Sequence, residues 1–117
     1  MIQVTMFKDN GLIQRVKISG HSGYSVRGSD IVCSAVSTIS QGILGGIMEV
    51  AKCEVNILAD GDGELDFMVL PDLHNMHHCQ LLTDTLDWSL KDIAEQHGEY
   101  VSYEEVDLKG ECALCHF

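Results

Sequence analysis

Hydrophobic and polar positions first alternate along this chain. Ile2 to Phe7 is rich in β-formers, and Asp9-Asn10-Gly11 is a hairpin turn signal because Asn and Gly both tolerate positive φ. Leu12 to Ser19 resumes the alternation, with Leu12, Gln14, Val16 and Ile18 on one face and Ile13, Arg15 and Lys17 on the other. From Asp30 to about Lys52 the period becomes helical: Val32, Ala35, Val36, Ile39, Ile43, Gly46, Ile47 and Val50 follow the i, i+3, i+4 rule. Gly42, Gly45 and Gly46 each cost roughly 1 kcal/mol of helix propensity against alanine, which predicts a neighbour packed close to the backbone. The opposite face is also nearly uncharged, so a helix covered on several sides is expected.

Cys53 to Ala59 and Glu64 to Leu70 predict a second hairpin around Asp60-Gly61-Asp62-Gly63. Val55 and Ile57 share one face, as do Leu65, Phe67 and Val69. Pro71 ends that strand because it lacks an N–H. Asp72 to about His97 carries a helical stripe of Cys79, Leu82, Leu86, Leu90, Ile93 and His97, with Gly98 suited to the C′ position. Tyr100 to Leu108 alternates again. The order ββαββαβ predicts an α+β fold: two hairpins and a C-terminal strand in one mixed or antiparallel sheet, with two main helices packed on it. Residues 1–108 form the expected single domain, and 109–117 a cysteine-rich tail.

Composition narrows the function classes. A chain of 117 residues suits one domain and buries roughly 65% of its unfolded surface. Hydrophobic content of 45% and a mean hydropathy of +0.07 exclude a disordered chain. A net charge of −11 with only seven Lys and Arg argues against nucleic-acid or anionic-membrane binding and favours a basic protein or peptide partner. Five cysteines, an odd number, and an N-terminus that runs directly into a strand point to a reducing cytoplasm with free thiols. Ile31 to Met48 carries no formal charge, which raises the question of a membrane span. Its Ser34, Ser37, Thr38, Ser40, Gln41 and three glycines fit a central helix of a soluble domain better.

The chemistry concentrates between Gly20 and Ser37. His21 lies in the glycine-rich segment Gly20-His21-Ser22-Gly23, and Cys33 follows twelve residues later. Asp30 is a good N-cap, which would put Cys33 at about the third helical position, beside the positive end of the dipole. That setting favours the nucleophilic thiolate, and a nearby imidazole completes the pair that acyl transfer needs. Free N–H groups around Val32 and Cys33 would form an oxyanion hole. Ser37, four residues on, either orients the thiol or a carbonyl, or bonds back to its own helix. The segment from Gly20 to Ser29, with Tyr24, Arg27 and Gly28, has few apolar anchors and is expected to order over a bound peptide. The competing reading makes Cys33 a small core residue and His21 a turn residue. Cys112-Ala113-Leu114-Cys115-His116 matches a haem-attachment pattern, and with His74, His77, His78 and Cys79 could make a zinc site. A solvated tail is the simpler expectation, and no cofactor is required. Asp60, Asp62 and Glu64 fit a plain acidic turn better than a calcium loop.

Gly20-His21, Gly28, Asp30-Ile31-Val32-Cys33, Ala35-Val36 and Ser37 together resemble the bacterial ribosomal-processing cysteine proteases, the Prp or YsxB-like family. Ser22 and Ser34 stand where that family's pattern has alanine, and the tail after Leu108 lies outside the pattern. The resemblance spans roughly residues 1 to 108. It implies a small homodimeric α+β protease that removes the N-terminal extension of the twenty-seventh large-subunit ribosomal protein. It further implies His21 as general base, Cys33 as nucleophile, Asp30 and Ser37 as supporting residues, and a substrate loop of Gly20, Ser22, Gly23, Tyr24, Arg27 and Gly28. A non-catalytic ribosome-associated binding protein is the alternative, and a metal-binding protein a further one.

Overall fold

The two alternating runs at the N-terminus form strands β1 (Ile2–Asp9) and β2 (Leu12–Ser19), joined through Asn10 and Gly11 at φ 52° and 79°. The computed structural model describes residues 1–20, 27–61 and 63–109, with residues 27–30 as backbone alone. Helix α1 (Arg27–Gly45) follows and continues into one π-helical turn, Gly46–Val50. A second hairpin of β3 (Glu54–Gly61) and β4 (Glu64–Leu70), helix α2 (Met76–Gln96) and strand β5 (Val101–Asp107) complete the order ββαββαβ. The strands form one sheet in the order β3-β4-β2-β1-β5. Strand β5 runs parallel to β1 and every other pairing is antiparallel, so the sheet is mixed, as expected.

Bulges decide which side chains reach the core. Phe7 pairs with Arg15 but Lys8 pairs with Ile13, so Gln14 is the extra residue. Ile13 therefore turns to the face of Val16 and Ile18 and is buried with them, while Leu12 is exposed. This reverses the expected placement of Leu12 and Ile13, because simple alternation does not survive an inserted residue. A second irregularity lies at Leu58; Ile57 and Leu58 on this edge strand are partly exposed, although Val55 packs against the core.

Among the described residues, helix α1 is covered on one face. Its buried row is Val32, Val36, Ser40, Leu44 and Ile47, shifted from the expected stripe. Ala35 and Val50 are exposed. Among the described residues, no atom outside the helix's own backbone stands within 4 Å of a side chain added at Gly42 or Gly45, so none of them packs close to those glycines. A side chain added at Gly46 would meet Leu82 of α2 at an ordinary contact distance of 3.8 Å. Ile31–Val50 is long and apolar enough to cross a membrane by length and composition, yet it lies with this row against the sheet. Helix α2 contributes Cys79, Leu86 and Leu90 to the same core, beside Val4, Met6, Val16 and Phe67. Full burial of each large side chain here contributes about 1.5–3 kcal/mol. Gly98 follows the C-cap of α2 without a left-handed φ; a side chain there would stand 3.3 Å from the Ala94 carbonyl oxygen.

Polar contacts fix the sheet at two further places. At the β1–β5 edge, Lys8 Nζ lies 3.0 Å from Asp87 Oδ2 of α2 and 2.8 Å from Glu105 Oε1, and the Tyr103 hydroxyl donates to Asp87. Hydrogen bonds from Lys8 and Tyr103 hold the Glu105 carboxyl down at about 2. On the sheet face away from the helices, Phe7 and Leu108 pack with Met68 and Val106. Beside them Arg15 Nε and Nη2 grip Asp66 Oδ1 and Oδ2 at 2.8 and 2.5 Å, both side chains buried. The guanidinium lies 5.2 Å from the centre of the Phe7 ring.

A buried ion pair costs most when one partner is removed. Asp66→Ala should therefore lower stability by about 3–5 kcal/mol in urea unfolding, whereas Arg15→Met combined with Asp66→Leu should fall within about 1 kcal/mol of the parent or exceed it.

Candidate active site

Three pieces of chain converge on one cavity. Ile2 and Ile18 come from the sheet, Cys33, Ser37 and Ser40 from α1, and Gly63, Glu64 and Leu65 from the start of β4. The space measures about 140 Å³. Gly20 closes its sheet side. The Gly20 N–H donates to the Gly63 carbonyl oxygen at 2.9 Å, and its φ of 103° is one that side-chain-bearing residues rarely adopt. A Cβ on Gly20 would stand 2.3 Å from the Met1 carbonyl oxygen. The backbone here is clamped between two other segments, so the first residue of the segment expected to order over a peptide is already held in place. Across the cavity mouth, Gln41 Nε2 reaches Asp60 Oδ1 at 3.5 Å, linking α1 to β3.

Cys33 is half-buried on the cavity wall, and Ser37 lies one turn further along the same wall. The sequence therefore located both correctly relative to each other. It misplaced the helix start. Helix α1 begins at Arg27, so Asp30 is its fourth residue and cannot be the N-cap, and Cys33 is its seventh. Gly28, a poor helix former, conceals the earlier start. The N–H groups of Val32 and Cys33 then fall within the i→i−4 ladder and are not free to form an oxyanion hole. The dipole acts mainly within the first turn, which Cys33 lies beyond. Arg27 and Gly28 belong to that first turn as well. His21, Ser22, Gly23 and Tyr24 lie outside the described residues.

The other described thiols differ from Cys33. Cys53 and Cys79 are buried in the core, and burial together with its Cys53 neighbour pushes the Cys79 thiol up to about 12. Such a thiol is a packing group rather than a nucleophile. His74, His77 and His78 are exposed at the start of α2. Among the described residues, no group of three or more His, Cys, Asp or Glu is placed to hold a metal ion. Asp62, Cys112, Cys115 and His116 lie outside the described residues.

An accessible cysteine on the wall of a cavity at the sheet end is a geometry that known proteins can be compared with. The model of the family described as cysteine protease Prp matches residues 1–102. The chain belongs to the Prp family of cysteine proteases. It is similar to SMU.848 from Streptococcus mutans, with 30% identity over 92% of this chain and 95% of that one and a TM-score of 0.79. It is similar to the essential ribosomal processing protease Prp from S. aureus in complex with a substrate peptide, at 25% identity over 90% and 99% and a TM-score of 0.78. The S. aureus protease with a covalently linked product peptide gives 26% identity over the same shares, also at 0.78. Among curated proteins nothing matches. The chain is thus a cysteine protease with the Prp fold.

The clamp at Gly20 gives a direct check on the site's frame. Gly20→Ala should lower the melting temperature, with a loss of about 1–3 kcal/mol from the unfavourable φ alone. Unchanged melting would mean that the Met1–Gly20–Gly63 contact does not hold this end of the sheet.

Proposed function

We propose that this chain is a cytoplasmic endopeptidase that removes the N-terminal extension of the twenty-seventh large-subunit ribosomal protein, with Cys33 as nucleophile and His21 as general base. The observation that carries the reading is the half-buried Cys33 thiol on the cavity wall, at the position where the family pattern has its cysteine. His21 takes the thiol proton, and sulfur attacks the scissile carbonyl carbon. The amine leaves with the proton from His21, a thioester remains on Cys33, and water releases it with His21 again as base. Asp30 and Ser37 support this pair, and residues 20–28 cover the peptide. The S. aureus relative carries a covalently linked product peptide, which supports a covalent route. That relative's description as a ribosomal processing protease supports the substrate class. A net charge of −11 suits a basic ribosomal precursor.

A second copy of the chain is the partner that the outer face of α1 fits. Ile31 and Val50 are 71% and 81% exposed, and among the described residues nothing outside the helix packs close to Gly42 or Gly45 on it. Small residues in an apolar face permit close approach of two helix backbones across a two-fold axis. Sedimentation at micromolar concentration should return a dimer, and a monomer would contradict this assignment.

The catalytic assignment is tested with the ribosomal precursor as substrate. Cys33→Ala should abolish cleavage while leaving melting nearly unchanged, because the truncation is small and the thiol is only half-buried. Cys33→Ser should also be nearly inactive, since a hydroxyl is much harder to ionise than a thiol. Retained turnover in either variant removes Cys33 from the mechanism. A protein that binds the precursor without cutting it is the non-catalytic alternative.

A further inference from the structure

The buried row of α1 contains one polar member. Ser40 is 1% exposed, in the helix face packed on the sheet, and lines the same cavity as Cys33. Its hydroxyl finds no hydrogen-bond partner among the described residues. A helical serine or threonine ordinarily satisfies itself by donating to the carbonyl four residues back. Thr85 and Ser89 in α2 do so, at 2.7 and 2.8 Å. Ser40 does not, and a buried hydroxyl left unpaired costs about 1–3 kcal/mol. Alanine would fill that position without the cost. Ile2, Ile18, Val36 and Leu65 form the apolar part of the same cavity, and Ser37, Gln41 and Glu64 line it as well.

We infer that the Cys33 cavity is a pocket for one substrate side chain, and that the Ser40 hydroxyl reads a hydrogen-bonding group at the tip of that side chain. The ligand class follows from the lining. An apolar body satisfies the isoleucine, valine and leucine walls, and a tip that donates or accepts satisfies Ser40; glutamine and tyrosine side chains have this form. Discrimination then comes from the hydrogen bond that Ser40 gains when a polar tip enters and does not gain when a purely apolar side chain does. Ser40 acts here as a specificity-determining residue and takes no part in bond making. The inference rests on the protease reading for its biological meaning, but the pocket can be tested by binding alone.

The probe is a set of octapeptides in which each position is set in turn to methionine, glutamine, phenylalanine or tyrosine. Binding is measured to the Cys33→Ala protein, with and without Ser40→Ala. One position should favour glutamine over methionine, or tyrosine over phenylalanine, by about 5- to 10-fold, as one net hydrogen bond gives. That preference should fall to about onefold when Ser40 is alanine. The Ser40→Ala protein should melt no lower than its parent, because it loses an unpaired group. A preference that survives Ser40→Ala, no preference at any position, or a clearly lower melting temperature each overturns the assignment. Cleavage of the same peptides by the unsubstituted protein reports separately on the protease reading, so the two failures are distinguishable.

Discussion

The site depends on one packing constraint: α1 is buried along a single row against the helix-facing side of the sheet. Val32, Val36, Leu44 and Ile47 sit in that row and meet Val4, Met6, Val16 and Phe67 in a common core. With Ser40 between Val36 and Leu44, successive members are three or four residues apart, so the rotation of the helix about its axis is set by them. Cys33, adjacent to Val32 in sequence, is thereby held at the margin of the buried face. It is neither sealed in the core, as Cys53 and Cys79 are, nor turned out to solvent. A helix free to roll by one position would bury the thiol or expose it. Placement of the proposed nucleophile is thus a consequence of core packing rather than of contacts made by the cysteine itself.

The other wall of the cavity has an equally simple origin. The end of β2 and the start of β4 are tied by the Gly20–Gly63 hydrogen bond, with the Met1 carbonyl against Gly20. Only glycine fits there, by both φ and clearance. The cavity is therefore bounded by a helix whose rotation is fixed and by backbone whose position is fixed. Within that frame the one unusual group is a polar side chain in the apolar row.

Much of this was legible in the sequence. Alternation located five strands, helical spacing located two helices, and the four-residue interval between Cys33 and Ser37 put them together on one wall. What escaped has physical reasons. The bulge at Gln14 has no distinctive residue type, so Leu12 and Ile13 exchange faces without warning. Asp30 is so good an N-cap that it masked a helix starting three residues earlier through Gly28. Ser40 was passed over because an apolar stripe is sought among apolar residues, and its burial becomes visible only once the helix rotation is known. The glycines of α1 signal close approach, but among the described residues nothing packs close to Gly42 or Gly45. The relation of His21 to Cys33 rests on the family pattern, since His21 lies outside the described residues.

The central claim is that peptide-bond cleavage passes through a thioester on Cys33, the one accessible thiol among the described residues. Rapid acid quenching of the enzyme with the proposed ribosomal precursor, followed by intact-mass analysis and peptide mapping, tests this most directly. The account predicts a transient adduct with the mass of the released N-terminal segment, mapped to the peptide containing Cys33 and lost on longer incubation. Cleavage that proceeds with no adduct, or with an adduct mapped to a different cysteine, would contradict it.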